Sequence, residues 1–154
     1  MVNLHAAGGS KMMIAAKEGL VEGSEVRKTP LLIAVTQLTS TNQEMMNNEQ
    51  HIPGLVIDSV VGYARLACEC GLDGVVCSPL EAKAVKEACG KEFLAVTPGI
   101  RLASSKKDDQ ERITTPKMAK EIGSDYIVVG RPITQSENPV LAYQEIRKEF
   151  LGNE

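Results

Sequence analysis

Apolar residues in this chain fall into short runs separated by longer polar or periodic stretches. Five of the runs read as strands: Met1–His5, Leu31–Val35, Val75–Cys77, Phe93–Thr97 and Tyr126–Val129. The first is a short strand; the later runs are brief, apolar and bounded by glycine or polar residues, the pattern of strands buried in a parallel sheet. Between them the apolar spacing turns helical. Met12, Met13, Ala15, Ala16 and Leu20 make one face, with Ser10 expected to cap a helix that begins at Lys11. Ile52–Cys70 and Pro79–Cys89 follow, then a helix opened by Thr115-Pro116 and ended by Gly123, and an amphipathic Pro139–Phe150. Ser78-Pro79-Leu80-Glu81 is a sharp start signal, because Ser78 suits the cap, Pro79 the first turn and Glu81 the return bond of a capping box. Polar Thr41–Gln50 predicts an exposed segment.

Strand followed by helix, five times over at ~30 residues per unit, predicts an α/β fold with parallel strands. An open doubly wound sheet is the alternative, but glycines in the phosphate-binding pattern do not open the helix after the first strand. A (βα)8 TIM barrel takes eight such units in about 250 residues. The expectation is therefore that residues 1–154 are the carboxyl-terminal portion of a single barrel domain and supply about five of its units.

Composition narrows the partners. The length of 154 residues and 43% hydrophobic content suit one domain with its own core. No apolar run approaches the roughly 18 residues of a membrane span, and the opening Met-Val-Asn-Leu-His does not read as a secretory signal. A net charge of −3 without a basic block argues against nucleic acid. Cys68, Cys70, Cys77 and Cys89 form no Cys-x-x-Cys pair, and Cys68 and Cys70 point to different sides of a helix, so they read as reduced cytosolic thiols rather than a zinc site.

Candidate chemistry gathers at the carboxyl ends of the strands, where ligands of parallel α/β folds bind. After the fifth run come Gly130 and Arg131, a backbone open to close approach and a planar fork of donors suited to phosphate. Pro98-Gly99-Ile100-Arg101 repeats that arrangement after the fourth. The polar stretch Leu102–Thr115, longer than an ordinary βα connection, predicts a lid. The Thr36-Gln37-Leu38-Thr39-Ser40 hydroxyls either bond a polar ligand or cap a turn. His5 could face a ligand, although a hydrogen-bonded structural histidine is the commoner case. Gly8-Gly9-Ser10-Lys11 does not have the glycine spacing of a nucleotide loop.

Asn3-Leu4-His5-Ala6-Ala7-Gly8-Gly9, Ala34-Val35-Thr36-Gln37-Leu38-Thr39-Ser40, Asp73-Gly74-Val75-Val76-Cys77-Ser78, Thr97-Pro98-Gly99-Ile100-Arg101 and Val128-Val129-Gly130-Arg131-Pro132-Ile133-Thr134, in this order, resemble the bacterial orotidine 5′-phosphate decarboxylase family. The resemblance covers essentially the whole chain. It implies a cytoplasmic, homodimeric (βα)8 barrel that converts orotidine 5′-phosphate to UMP and CO2 in pyrimidine biosynthesis, with neither metal nor organic cofactor. It also implies substrate contacts at Thr39, Arg101, Gln110, Gly130 and Arg131, with Gln110 on the loop that closes over the phosphate. In that family the chemistry belongs to an Asp-x-Lys-x-x-Asp element and an earlier lysine. This chain contains no such element, and Lys106-Lys107-Asp108-Asp109 has the wrong spacing, so no catalytic residue is assigned to it. A related sugar-phosphate decarboxylase or aldolase on the same barrel, or a non-catalytic phosphate-binding fragment, is the alternative.

Overall fold

Each of the five apolar runs becomes a strand, and the strands lie side by side in chain order. The computed structural model describes residues 1–24, 28–101 and 114–152. The sheet consists of β1 (Val2–His5), β2 (Leu32–Val35), β3 (Gly74–Val76), β4 (Leu94–Thr97) and β5 (Tyr126–Ile127), every neighbouring pair parallel. The helices are α1 (Gly9–Ser24), α2 (Val56–Glu69), α3 (Ala82–Cys89), α4 (Pro116–Ile122), a short α5 (Arg131–Thr134) and α6 (Pro139–Leu151).

Side-chain alternation decides between the two architectures left open by the sequence. Leu32 and Ala34 of β2, Val75 of β3 with the following Cys77, and Ala95 of β4 share one core with Met13, Val60, Ala64, Ala67, Ala82 and Val85 of the first three helices. Ile127, on the same face because Thr97 pairs with it, packs with Ala119 of α4 and Phe150 of α6. All the packed helices therefore cover one face. A doubly wound sheet reverses its strand order and covers both faces; an unbroken β1-β2-β3-β4-β5 order with helices on one side is the wall of a barrel. The opposite face, free of packed helices among the described residues, carries Ile33, Val35, Val76, Leu94 and Val96.

Local signals set the element ends. Ser78 and Glu81 form the reciprocal capping box, with the Ser78 N–H donating to the Glu81 carboxylate at 2.7 Å, although the first turn, Pro79–Glu81, is a 3-10 turn that leads into α3. The Thr115 hydroxyl accepts from the Met118 N–H at 3.2 Å to cap α4, and Gly123 ends that helix at φ +115°. Gly74 meets a different demand: a Cβ there would stand 2.5 Å from Leu94 Cβ and closer still to the Leu94 carbonyl oxygen, so β3 and β4 approach only because this side chain is missing.

Several expectations are corrected. Ser10 lies inside α1, which begins at Gly9 and is joined to β1 by the 3-10 turn Ala6–Gly8. Polar 41–50 is not uniformly exposed: Met45–Glu49 makes a π-helical turn that seals Met46 completely. The second helix starts at Val56 rather than Ile52, because Pro53-Gly54 interrupts the turn before it. The last run is not buried on both faces. Only Tyr126–Ile127 pairs, β5 has a neighbour on one side, and Tyr126 and Val128 remain 47% and 51% exposed.

Candidate functional site

The strand register aligns the carboxyl ends of the strands that Thr39, Arg101, Gly130 and Arg131 follow. His5, Val35, Val76, Val96 and Tyr126 form a continuous row across the sheet, paired from each strand to the next. Thr39 stands four residues beyond Val35, and Gly130 four beyond Tyr126. Thr97 pairs with Ile127, and Arg101 and Arg131 each stand four residues further on. The two arginines thus leave adjacent parallel strands at the same level. Both therefore follow the carboxyl ends of neighbouring strands at the same offset along the chain, with Gly130 between β5 and Arg131. Thr39 leaves the same rim two strands away from Arg101. Gln110 lies outside the described residues, as does the 102–113 portion of the predicted lid.

The immediate surroundings of each residue follow from its element. Gly99, at φ +85°, turns the chain after β4. Ile100 then drops into the core beside Ala119 and Phe150 and bridges to Thr114, while the Arg101 N–H donates to the Thr114 carbonyl at 3.1 Å. The backbone beneath Arg101 is thereby fastened on both sides, and its guanidinium, half-buried, donates to the Ile100 carbonyl at 3.3 Å. Gly130 is exposed with nothing within 4 Å of where a Cβ would stand, and its carbonyl accepts from Ile133 and Thr134 to start α5. Arg131 opens that short helix and is exposed. The arrangement offers two cations and an unobstructed backbone to an anionic group arriving from solvent.

The Thr39 rim is held differently. The Thr36 hydroxyl donates to the Val76 carbonyl at 2.8 Å, and the Gln37 amide donates to the Ser59 hydroxyl of α2 at 3.1 Å. Both side chains are buried, so the loop leaves β2 from two fixed points and exposes Thr39 in the turn that follows. Sequence reasoning did not single out Gln37, because its partner on α2 lies beyond a polar loop whose path is set only by the fold. His5 is not the hydrogen-bonded structural histidine of the common case: it is exposed and its ring makes no hydrogen bond among the described residues.

Other reactive groups do not join the rim. Cys77 is completely buried, and burial first, then the nearby Glu81 carboxylate, pushes its thiol up to about 12. Cys89 is raised to about 11 by burial and then by Cys68. Such thiols are poor nucleophiles near neutral pH. No three His, Cys, Asp or Glu side chains among the described residues gather to hold a metal ion. A shallow depression of about 620 Å3 lies between α4 and α6, where Lys120 sits 5.2 Å from the Phe150 ring centre; it is on the helix-covered side and contains none of the strand-end residues.

Comparison with known proteins gives the family and the fold. The profile of the orotidine 5′-phosphate decarboxylase / HUMPS family matches residues 1–146. The chain is 57% identical over 153 residues to an orotidine 5′-phosphate decarboxylase of Bacillus cytotoxicus, covering 99% of this chain and 64% of that protein. It is 56% identical over 151 residues to one from Lactococcus lactis subsp. cremoris, covering 97% and 64%. The crystal structure of orotidine 5′-phosphate decarboxylase from Lactobacillus acidophilus superposes with a TM-score of 0.83 at 47% identity, over 96% of this chain and 62% of that one. The Pyrococcus horikoshii decarboxylase, at 18% identity, shares the fold with a TM-score of 0.63 over 98% of this chain and 73% of its own. The chain thus spans 64% of the length of these curated relatives.

Proposed function

Because this chain belongs to the orotidine 5′-phosphate decarboxylase / HUMPS family, we propose that it carries the phosphate- and nucleotide-binding rim of an enzyme that converts orotidine 5′-phosphate to UMP and CO2. The observation that supports this most directly is the equal offset of Arg101 and Arg131 beyond the Thr97–Ile127 pair, on adjacent strands. Two guanidinium groups so placed suit one phosphate dianion, each offering charge-assisted donors. Thr39, across the rim, suits the sugar or base. Gln110 enters the proposal on family likeness alone. Residues 1–154 form, in this reading, the carboxyl-terminal portion of one barrel domain. The enzyme works in the cytoplasm as a homodimer and without metal or organic cofactor.

What these residues contribute is binding remote from the bond that breaks. Loss of CO2 leaves a carbanion on the pyrimidine ring, and no residue of this chain is assigned to stabilise it. A phosphate anchored at one rim fixes the position of the ring at the other end of the nucleotide, so binding energy at the phosphate is used to orient the reacting end. The chain by itself therefore binds nucleotide and does not turn it over.

Calorimetric titration of the chain with UMP tests this reading. Arg131→Ala is expected to weaken binding by about 1.5–3 kcal/mol, the worth of a charge-assisted hydrogen bond, with the far-ultraviolet circular dichroism unchanged because the side chain is exposed. Equal UMP affinity in wild type, Arg101→Ala and Arg131→Ala would remove both arginines from the site.

A further inference from the structure

The proposed phosphate contacts follow β4 and β5, which leaves the other end of the row to be accounted for. That end is His5. It pairs with Val35, which pairs with Val76, then Val96, then Tyr126, so His5 stands on the same face and at the same level as these residues. Leu32 and Ala34, the alternate residues of β2, are in the helix-side core, so the face that His5 shares with Val35 is the helix-free interior of the barrel wall. The chain then departs through the Ala6–Gly8 turn, with Gly9 at φ +82°, and leaves the imidazole at the mouth. The ring makes no hydrogen bond within the described residues, whereas Thr36 and Gln37 on the neighbouring loop are both tied down.

The rest of that row is apolar apart from the Tyr126 hydroxyl. An unpartnered imidazole, able to donate through one nitrogen and accept through the other, is thus placed on the strand farthest in the sheet from the arginine-bearing ends. A nucleotide anchored by its phosphate at Arg101 and Arg131 and lying across the interior face directs its base away from β5, towards β1. We infer that His5 is a ring-binding residue, hydrogen-bonding the polar edge of the pyrimidine at the end of the ligand opposite the phosphate. This rests on the proposed nucleotide-binding role of the rim and assigns the base to a particular strand.

The chain has only two histidines, His5 and His51, which makes the imidazole resonances simple to read. The spectrum of His5→Gln identifies the His5 signal. Titrating the wild-type chain with UMP should shift that signal, and titrating with inorganic phosphate should leave it in place. In parallel, His5→Gln should lose about twofold to tenfold in UMP affinity, the range of one neutral hydrogen bond, and keep its affinity for inorganic phosphate. UMP binding of wild-type strength with an unmoved His5 signal would overturn this inference and leave the phosphate rim standing. A His5 signal that moves equally with inorganic phosphate would overturn it too, by assigning the ring to the anion. No UMP binding by the wild-type chain would overturn both the inference and the reading beneath it.

Discussion

A single buried thiol shows how burial alone can decide whether a side chain is chemistry or structure. Cys77 follows β3 directly, a position from which a nucleophile could reach the rim, yet its side chain turns into the helix-side core beside Ala82 and Val85. Ionising it there means leaving charge in an apolar setting, so the folded thiol holds its proton up to about 12 against an ordinary 9.0. Above pH 9.0 the unfolded chain loses that proton while the folded one keeps it, so the folded state binds more protons and stability falls as pH rises. The contribution is fully present below pH 9.0 and is lost progressively towards about 12. Urea midpoints measured from pH 8 to 11 should therefore decline, and Cys77→Ala should flatten the decline while lowering stability somewhat at pH 8 through lost packing. An identical slope in the variant would mean that other groups carry the alkaline loss.

Between neighbouring elements, one construction recurs at alternate seams of the sheet. Asp73, just before β3, lies opposite Leu32 in the register; its Oδ2 accepts the Leu32 N–H at 2.7 Å and the Lys17 ammonium at 3.0 Å. Asp125, just before β5, lies opposite Ala95, and its Oδ2 accepts the Ala95 N–H at 2.7 Å and the Lys86 ammonium at 2.6 Å. In each case the aspartate N–H also donates to the carbonyl of the same partner, at 2.8 Å and 2.9 Å respectively. A one-residue slip would break all three bonds at once, so each clamp fixes strand register at the amino-terminal end and, through it, the level at which rim residues emerge. Asp125→Ala is expected to lower unfolding free energy by about 2 kcal/mol, since it removes two hydrogen bonds to a charged group. Asp73→Ala should cost less, because its ammonium partner is more exposed, 27% against 15%. Equal or reversed losses in denaturant titrations would contradict that ordering. The clamps have a faint trace in the sequence, where Gly71-Leu72-Asp73-Gly74-Val75-Val76 and Gly123-Ser124-Asp125-Tyr126-Ile127-Val128 repeat glycine, aspartate and a β-branched pair. Nothing in that repeat says which lysine answers which aspartate.

For the molecule as a whole, the consequence of a one-sided, sequentially ordered sheet is a curved wall with two open margins. Among the described residues β1 and β5 each have a strand neighbour on one side only, and Val2, Tyr126 and Val128 are exposed there. Unpaired parallel edges with apolar side chains invite further strand pairing. Sedimentation of the 16.6 kDa chain should show mass rising with concentration, and Val128→Lys should reduce it by placing charge on the edge. A strictly monomeric chain at high concentration would show that these margins are closed by other means.

The sequence on its own determined what depends on near neighbours: five strands from runs of apolar residues, the Ser78–Glu81 box, the Thr115 cap, and two glycine–arginine pairs just past strand ends. These are local because a strand's alternation, a cap's hydrogen bond and a turn's φ are each set within a few residues. Only the tertiary structure decided what depends on register and on which face the helices cover. It paired Thr97 with Ile127, so that Arg101 and Arg131 follow adjacent strands at equal offsets, closed the polar Met45–Glu49 turn over Met46, and turned His5 towards the interior instead of the core. Each of those outcomes joins residues tens of positions apart, through pairings between strands that no local pattern encodes.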